Sequence, residues 1–317
     1  MSREQPLRLI IDTDPGIDDA LALLLALASP EVNLEGVTTV SGNVPLEDTT
    51  RNARALLALA GREDIPVAAG AARPLVREPI HAVEVHGRHG LGRAELAEPS
   101  TLPVPEPAAI FLSERIKAAP GAITLVAVGP LTNLALAVRL APEISQQVRE
   151  VVIMGGALRV PGNVTPVAEF NIYADPEAAH IVFHAGWPLR LVSLDTTRQV
   201  GLTRAQFAPL CRSESRIGRC LEAMLAHYFE EFAPRTGSEH FHLHDPLALA
   251  AALHPELLRW EPAYVDIVLS GRENEGATVA RFHDRPQMPP PNVLAATAVD
   301  VSGFTTFFLE RLARLLS

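Results

Sequence analysis

The chain contains a single lysine, Lys117, set in a helical pattern beside Ile116 and Ala118. Schiff-base chemistry and phosphate loops both need a placed lysine, so both are excluded. Only two cysteines occur, Cys211 and Cys220, nine residues apart in a polar helical stretch. That spacing is neither a disulfide framework nor a zinc motif, and it points to the reducing cytoplasm. No basic stripe is present, and 27 basic against 37 acidic residues leave a net charge of −10. Nucleic acid is therefore a poor partner, and a neutral or weakly charged small molecule a better one. The amino terminus lacks a signal-peptide pattern. No apolar run approaches the ~20 residues of a membrane helix, so no membrane partner is expected.

What the sequence does have is ordinary core material, 48% hydrophobic residues in a chain of 317. Strand-like and helix-like runs alternate with no linker or repeat, which predicts one α/β domain spanning residues 1–317. Its sheet should be mainly parallel, with helices on both faces. Strands are expected at 32–40, 65–69, 122–128, 148–154 and 189–194, and strand-like runs at 264–269, 277–282 and 293–301. Helices are expected at 45–59, 108–119, from 130 to 140, from Asp175-Pro176, twice within 203–233, and at 246–253 and 304–316. Residues 70–106 and 157–174 read as long loops, which in a compact domain are usually functional or mobile. Ligands of such sheets bind beyond the carboxyl ends of the strands, where Asp14, Asn43, Val128, Met154 and Asp195 should share one rim.

The densest chemistry lies in Asp12-Thr13-Asp14-Pro15-Gly16-Ile17-Asp18-Asp19, four carboxylates in eight residues. An apolar strand ends here, Pro-Gly turns, and an amphipathic helix begins. A helix cap and a solvated first-turn acid account for Asp18 and Asp19. They do not account for Asp12 and Asp14, which should face the same way and repel unless a cation or proton separates them. A metal site follows, and a hard all-oxygen donor set suits calcium, which tolerates many oxygens in irregular geometry.

Three further stretches could do chemistry. In His240-Phe241-His242-Leu243-His244-Asp245-Pro246, Asp245 before Pro reads as a helix cap that could equally lend an oxygen to a metal. The three alternating histidines would suit zinc only if an extended strand aligned them, and one histidine acting as acid or base fits better. Asn163-Val164-Thr165-Pro166-Val167-Ala168-Glu169-Phe170-Asn171 supplies amides and a carboxylate, the vocabulary for binding sugar hydroxyls, although Asn is also ordinary in turns. His86-Gly87-Arg88-His89-Gly90-Leu91-Gly92 reads as a flexible flap. Asp175 and Asp195 read as a helix cap and a strand-end acid.

The acidic motif closely resembles that of the inosine-uridine type nucleoside hydrolases. Ser41-Gly42-Asn43, Val128-Gly129-Pro130-Leu131-Thr132-Asn133, Met154-Gly155-Gly156, Glu169-Phe170-Asn171 and His244-Asp245-Pro246 extend the resemblance over most of the chain, in the family's order. It implies a Rossmann-like fold and hydrolysis of the N-glycosidic bond of a ribonucleoside to ribose and free base. Asp14, Asp19 and Asp245 would hold Ca2+ through their side chains, Val128 through its carbonyl, with Asp12 supporting them. Asp14 would also take a proton from the attacking water. Asp18, Asn43, Asn163, Glu169 and Asn171 would hold the ribose, with His86 and Met154 also at the substrate. His244 would protonate the leaving base. Residues 222–243 should line the base pocket, offering Tyr228, Phe229, Glu230, Glu231, Arg235 and His240. Neither Trp187 nor Trp260 is placed to stack a purine, which favours a pyrimidine or mixed inosine/uridine preference. A homodimer or homotetramer acting in nucleoside catabolism would follow from the same resemblance. Two rivals stand beside it. An Asp-based metal-dependent phosphatase would need a placed basic residue and a later acidic pair. A non-catalytic nucleoside-binding protein would not need the metal and base apparatus.

Overall fold

Strand β1 (Leu7–Thr13) shows how the sheet is layered. Leu7, Leu9 and Ile11 enter one apolar cluster with Leu21, Leu24 and Leu25 of the next helix, Ile17–Leu27. Ile10 faces the other way, into a second cluster with Phe111 and Leu134 of helices Ala108–Ala118 and Thr132–Leu140. Side chains alternate along a strand, so an unbroken apolar run is what a sheet covered on both faces requires. Each such side chain, fully buried, contributes ~1.5–3 kcal/mol. The computed structural model describes residues 6–282 and 289–316.

Parallel to β1 run β2 (Val32–Thr39), β3 (Val67–Ala69), β4 (Ile123–Ala127), β5 (Glu150–Met154) and β6 (Leu189–Val192). A small ribbon, β7 (Gly201–Leu202) with β8 (Phe241–His242), stands apart. Strands β9 (Leu258–Ile267), β10 (Thr278–Arg281) and β11 (Val293–Val299) complete the main sheet, whose order is β10-β9-β11-β6-β5-β4-β1-β2-β3. Only β9 runs antiparallel to its neighbours β10 and β11. From β1 the chain moves outward to β3, then returns to place β4 on the other side. The connections leaving β1 and β4 therefore part to opposite sides, opening a crevice at their carboxyl ends. This is the single α/β domain with a mainly parallel sheet that the alternating pattern predicts.

Some boundaries differ from the sequence reading. Strand β9 begins at Leu258 rather than 264, and the last helix at Val301 rather than 304. The 157–174 stretch ends in a short helix, Phe170–Ala174, because Glu169 caps it: the carboxylate accepts the backbone N–H groups of Asn171 and Ile172. Helix His244–Leu253 begins before Pro246 and uses Leu243 as its N-cap residue, so Asp245 is not the cap. The 86–92 stretch is a packed turn rather than a free flap. His86 is buried, and the Asn52 side chain donates to the His89 carbonyl at 2.6 Å. Among the described residues, no helix is long and apolar enough to cross a membrane.

Candidate active site

Asp14 stands just past the end of β1, and the backbone around it is shaped to admit a carboxylate. Its Oδ2 accepts the Asn43 backbone N–H at 2.6 Å. Its Oδ1 is buried and has no hydrogen-bond partner. A Cβ on Gly42 would lie 2.0 Å from Oδ2, and one on Gly129 would lie 2.6 Å from Oδ1. Only glycine leaves this space, and the two come from the loops after β2 and β4.

Asp19, at the third position of its helix, reaches back to close the turn. It accepts from the Thr13 hydroxyl (2.6 Å), Gly16 N–H (2.9 Å), Asn43 Nδ2 (2.9 Å) and Asp14 N–H (3.2 Å). The longest of these is the one most readily given up to a cation. Asp12 lies behind: its Oδ1 accepts from the Thr38 hydroxyl and from Asn133 Nδ2, while Oδ2 is buried without a partner. Asp245 arrives from the first turn of helix His244–Leu253 and is hydrogen-bonded to Asp18. Oxygens of Asp18, Asp19 and Asp245 all lie within 4.8 Å of one another.

These acids strongly perturb each other. Burial, then the charge of Asp19, pushes Asp18 up to about 7. Burial pushes Asp12 up to about 7 against its hydrogen bonds from Thr38 and Asn133. Burial, with the neighbouring carboxylates, lifts Asp14 and Asp245 well above the ordinary carboxylate range. Among the described residues no lysine or arginine pairs with any of them. The nearest basic group is His86, 4.0 Å from Asp18. His86 itself is neutral: burial lowers it to about 4, and its Nδ1 accepts the Ile17 N–H at 3.0 Å. Oxygens so placed want a hard cation or a shared proton.

Over this floor opens a cavity of about 420 Å³. It is lined by Asp18, Asn43, His86, Val128, Met154, Asn163, Glu169, Asn171, His244 and Asp245, so the residues nominated for the sugar do converge, with His244 beside them. Their internal bonds show which atoms remain for a ligand. Asn43 spends Nδ2 on Asp19 and on the Asp14 carbonyl. Asn171 spends Nδ2 on the carbonyls of Val128 (2.8 Å) and Met154 (3.2 Å). Both amides therefore keep their oxygens for a ligand. Asn163 uses its oxygen on the Phe170 N–H and keeps its amino group. Glu169, raised by burial, is held by Asn171, Gly156 and Ile172 N–H groups and serves chiefly to build the wall. Val128 keeps one carbonyl lone pair beside the Asn171 bond.

His244 is half-buried, and its Nδ1 lies 2.7 Å from the Thr197 hydroxyl. Burial, then the neighbouring His242, lowers it to about 3, so it is neutral. The histidines at 240, 242 and 244 do not gather into a metal cluster. Asp195 sits at the same rim but is spent on the Leu158 and Arg159 N–H groups. Asp175 caps its helix through Ala178 N–H.

In the 222–243 region only Tyr228 of the six nominated residues lines the cavity. Glu230 and Glu231 pair outward with Arg93, and Arg235 with Glu84. The helix Arg216–His227 widens into a π-turn over Tyr228–Phe232, which brings Tyr228 and Phe232 inward and sends Phe229 to the far side against Phe207. Phe232, Thr236, Ser238, Phe241 and His242 complete this side of the pocket, and Ala82, Val85 and Arg198 line it from segments the sequence reading did not nominate.

Comparison with known proteins agrees with this architecture. Residues 9–306 match the profile of the inosine-uridine preferring nucleoside hydrolases. The non-specific ribonucleoside hydrolase RihC of Escherichia coli is 42% identical over 309 residues, 97% of this chain and 98% of that protein. A plant nucleoside hydrolase structure superposes with a TM-score of 0.92 at 39% identity, covering 97% of this chain and 99% of that one. The purine-preferring ribonucleoside hydrolase of Gardnerella vaginalis gives 0.92 at 33% identity, covering 98% and 99%. The chain is a member of the inosine-uridine preferring nucleoside hydrolase family.

Proposed function

We propose that the protein hydrolyses the N-glycosidic bond of ribonucleosides, releasing ribose and free base, with Ca2+ held by Asp14, Asp19, Asp245 and the Val128 carbonyl. The observation that carries this is the buried, unpartnered Oδ1 of Asp14 among carboxylates that no lysine or arginine among the described residues neutralises. The all-oxygen donor set fits a calcium ion, and Gly42 and Gly129 leave the space in which the Asp14 carboxylate sits. When bound, the ion would lower the pKa of a water and so supply a nucleophile at neutral pH. Asp14 is the base that takes the proton from the attacking water.

Asp18 and the amide oxygens of Asn43 and Asn171 grip the ribose hydroxyls. Positive charge gathers on the sugar as the glycosidic bond stretches, and fixed oxygens around it lower the barrier. His244, with the Thr197 hydroxyl donating to its Nδ1, keeps its one proton on Nε2 and hydrogen-bonds it to the departing base, stabilising the charge that develops there. Tyr228, Phe232 and Phe241 form an apolar wall for the base, with Thr236 and Ser238 as polar groups. Trp187 is buried in the core, and Trp260 donates its indole N–H to the Pro255 carbonyl. With no tryptophan in the pocket, a mixed inosine/uridine or pyrimidine preference is the reading we adopt. A homo-oligomer in the cytoplasm belongs to the same reading, with gel filtration as its check.

The test is a panel of inosine, uridine, cytidine and adenosine assayed for reducing sugar, with chelator and after adding back Ca2+. Release of base that stops with chelator and returns with Ca2+ is expected. Phosphate release from nucleotides without base release would instead favour the phosphatase rival, and ribose binding without turnover the binding protein.

A further inference from the structure

On a face of the molecule that does not line the cavity, helix Pro176–Phe183 carries His180, and His184 follows at its end. Residues four apart on a helix stand on one side, and these two rings lie 4.3 Å apart between centroids. Asp266 of β9 faces them, its Oδ1 3.2 Å from His180 Nδ1 and 3.7 Å from His184 Nε2. One potential ligand atom from each of the three lies within 4.8 Å of the others.

The protonation pattern is set by what surrounds the rings. His184 Nδ1 lies 2.8 Å from the His180 carbonyl, which can only accept. Nδ1 therefore carries a ring proton, and Nε2 is the nitrogen that faces the Asp266 carboxylate. The Tyr264 hydroxyl, 3.3 Å from Nε2, approaches as well. Asp266 Oδ1 is in turn steadied by the Ile267 N–H at 2.8 Å. A ring anchored to a backbone carbonyl through its far nitrogen, beside a hydrogen-bonded carboxylate, is how metal-ligating histidines are usually oriented.

We infer that His180, His184 and Asp266 form a second metal site, separate from the buried acids, that binds zinc. Two imidazole nitrogens and a carboxylate oxygen are a zinc donor set, with the fourth position open to water. Calcium and magnesium prefer oxygen throughout and belong elsewhere. A tetrahedral ion about 2.0–2.1 Å from each donor needs donors about 3.4 Å apart. The separations of 3.2 and 3.7 Å straddle that value. Bound there, the ion clips the helix to β9 and acts on stability rather than turnover.

The test uses untagged full-length protein stripped of metal and then saturated with Ca2+, so that the buried acids are already occupied. Zn2+ is titrated calorimetrically, and Co2+ serves as a coloured reporter of a tetrahedral site. One equivalent of Zn2+ should bind, with Tm raised by roughly 5 °C at a hundredfold excess over Kd. His184→Gln and Asp266→Asn should each weaken binding about tenfold or more, while uridine turnover and the zinc-free Tm stay at the wild-type values. Tyr264→Phe should bind Zn2+ at least as well as wild type. Zinc binding that survives the His180→Gln/His184→Gln double variant would overturn the site. So would no binding at all, which would leave a proton shared between His184 and Asp266.

Discussion

Replacing Asp14 by Asn should make the metal-free protein more stable while abolishing its chemistry. Asp14 is buried among carboxylates and holds its proton well above the ordinary value near 3.8. In the unfolded chain it ionises near that value, so keeping it protonated on folding at pH 7 costs about 1.4 kcal/mol for each pH unit by which its folded value is raised. Asn has the carboxylic acid's shape and no such cost. Its Nδ2 gains a donor without an assured acceptor, which takes back about 1–2 kcal/mol. The variant is therefore expected to be the more stable protein at pH 7 in chelator. The sign with pH follows from a raised folded value: the cost is absent below about pH 4 and grows as pH rises toward 7. Urea melts of both proteins at pH 4.5 and pH 7, in chelator and in Ca2+, measure this directly. Wild type should gain stability from Ca2+ at pH 7, and Asp14→Asn should gain little. Reducing-sugar release should fall about 10²–10⁴-fold. A variant less stable than wild type in chelator at pH 7 would refute the reasoning, since Asp14 would then be a structural hydrogen-bond acceptor and nothing more.

Gly42→Ala should expel the Asp14 carboxylate, because the new Cβ would sit 2.0 Å from Oδ2 and 2.8 Å from Pro130 Cδ. We expect a loss of about 1–3 kcal/mol in stability and near-complete loss of turnover, and a fully active variant would contradict the packing. His244→Ala should lower kcat about 10–100-fold with KM for uridine nearly unchanged, and a change in KM alone would remove the histidine from the leaving-group step. Glu31 accepts both guanidinium nitrogens of Arg311 (2.7 and 2.9 Å), tying the last helix to the start of β2. Burial works to raise Glu31, but its bonds to its own backbone, Arg311 and His254 prevail and lower it. Arg311→Met should therefore cost about 1 kcal/mol at pH 7, with the difference closing as pH falls below the ordinary Glu value of about 4.3. A gap that persists at pH 3 would show that the arginine acts through packing alone.

The acidic floor of the cavity was legible in the sequence because its signal is local. Asp12 to Asp19 share one strand end and one helix start, and an Asp pair in an apolar strand has few explanations. Alternating strands and helices predict a rim shared by Asp14 and Val128, while the strand order that sets β4 beside β1 is read from the structure. The base wall was not legible, because it depends on helix phase. A π-turn at Tyr228–Phe232 exchanges Phe229 for Phe232, and nothing in the residue types announces that widening. Nor could the sequence show that Glu169 spends its carboxylate on three backbone N–H groups, since a cap and a sugar ligand use the same side chain. Asp245 misled in the opposite sense. Asp before Pro usually caps, yet here the helix starts earlier and its first turn delivers the acid inward.

The hydrogen-bonded pair Asp18 and Asp245 joins the start of the chain to a helix near its end. During synthesis the early acids emerge long before their distant partner, while β1 still lacks its neighbour β4. A nascent chain therefore holds half of a charge cluster that has no reason to fold shut. Domains fold as their segments become available, so the floor of the cavity is among the last regions to close. The pairing of these acids then reports completion of the whole sheet, and a chain cut short before residue 245 should stay open to proteolysis at its amino-terminal third.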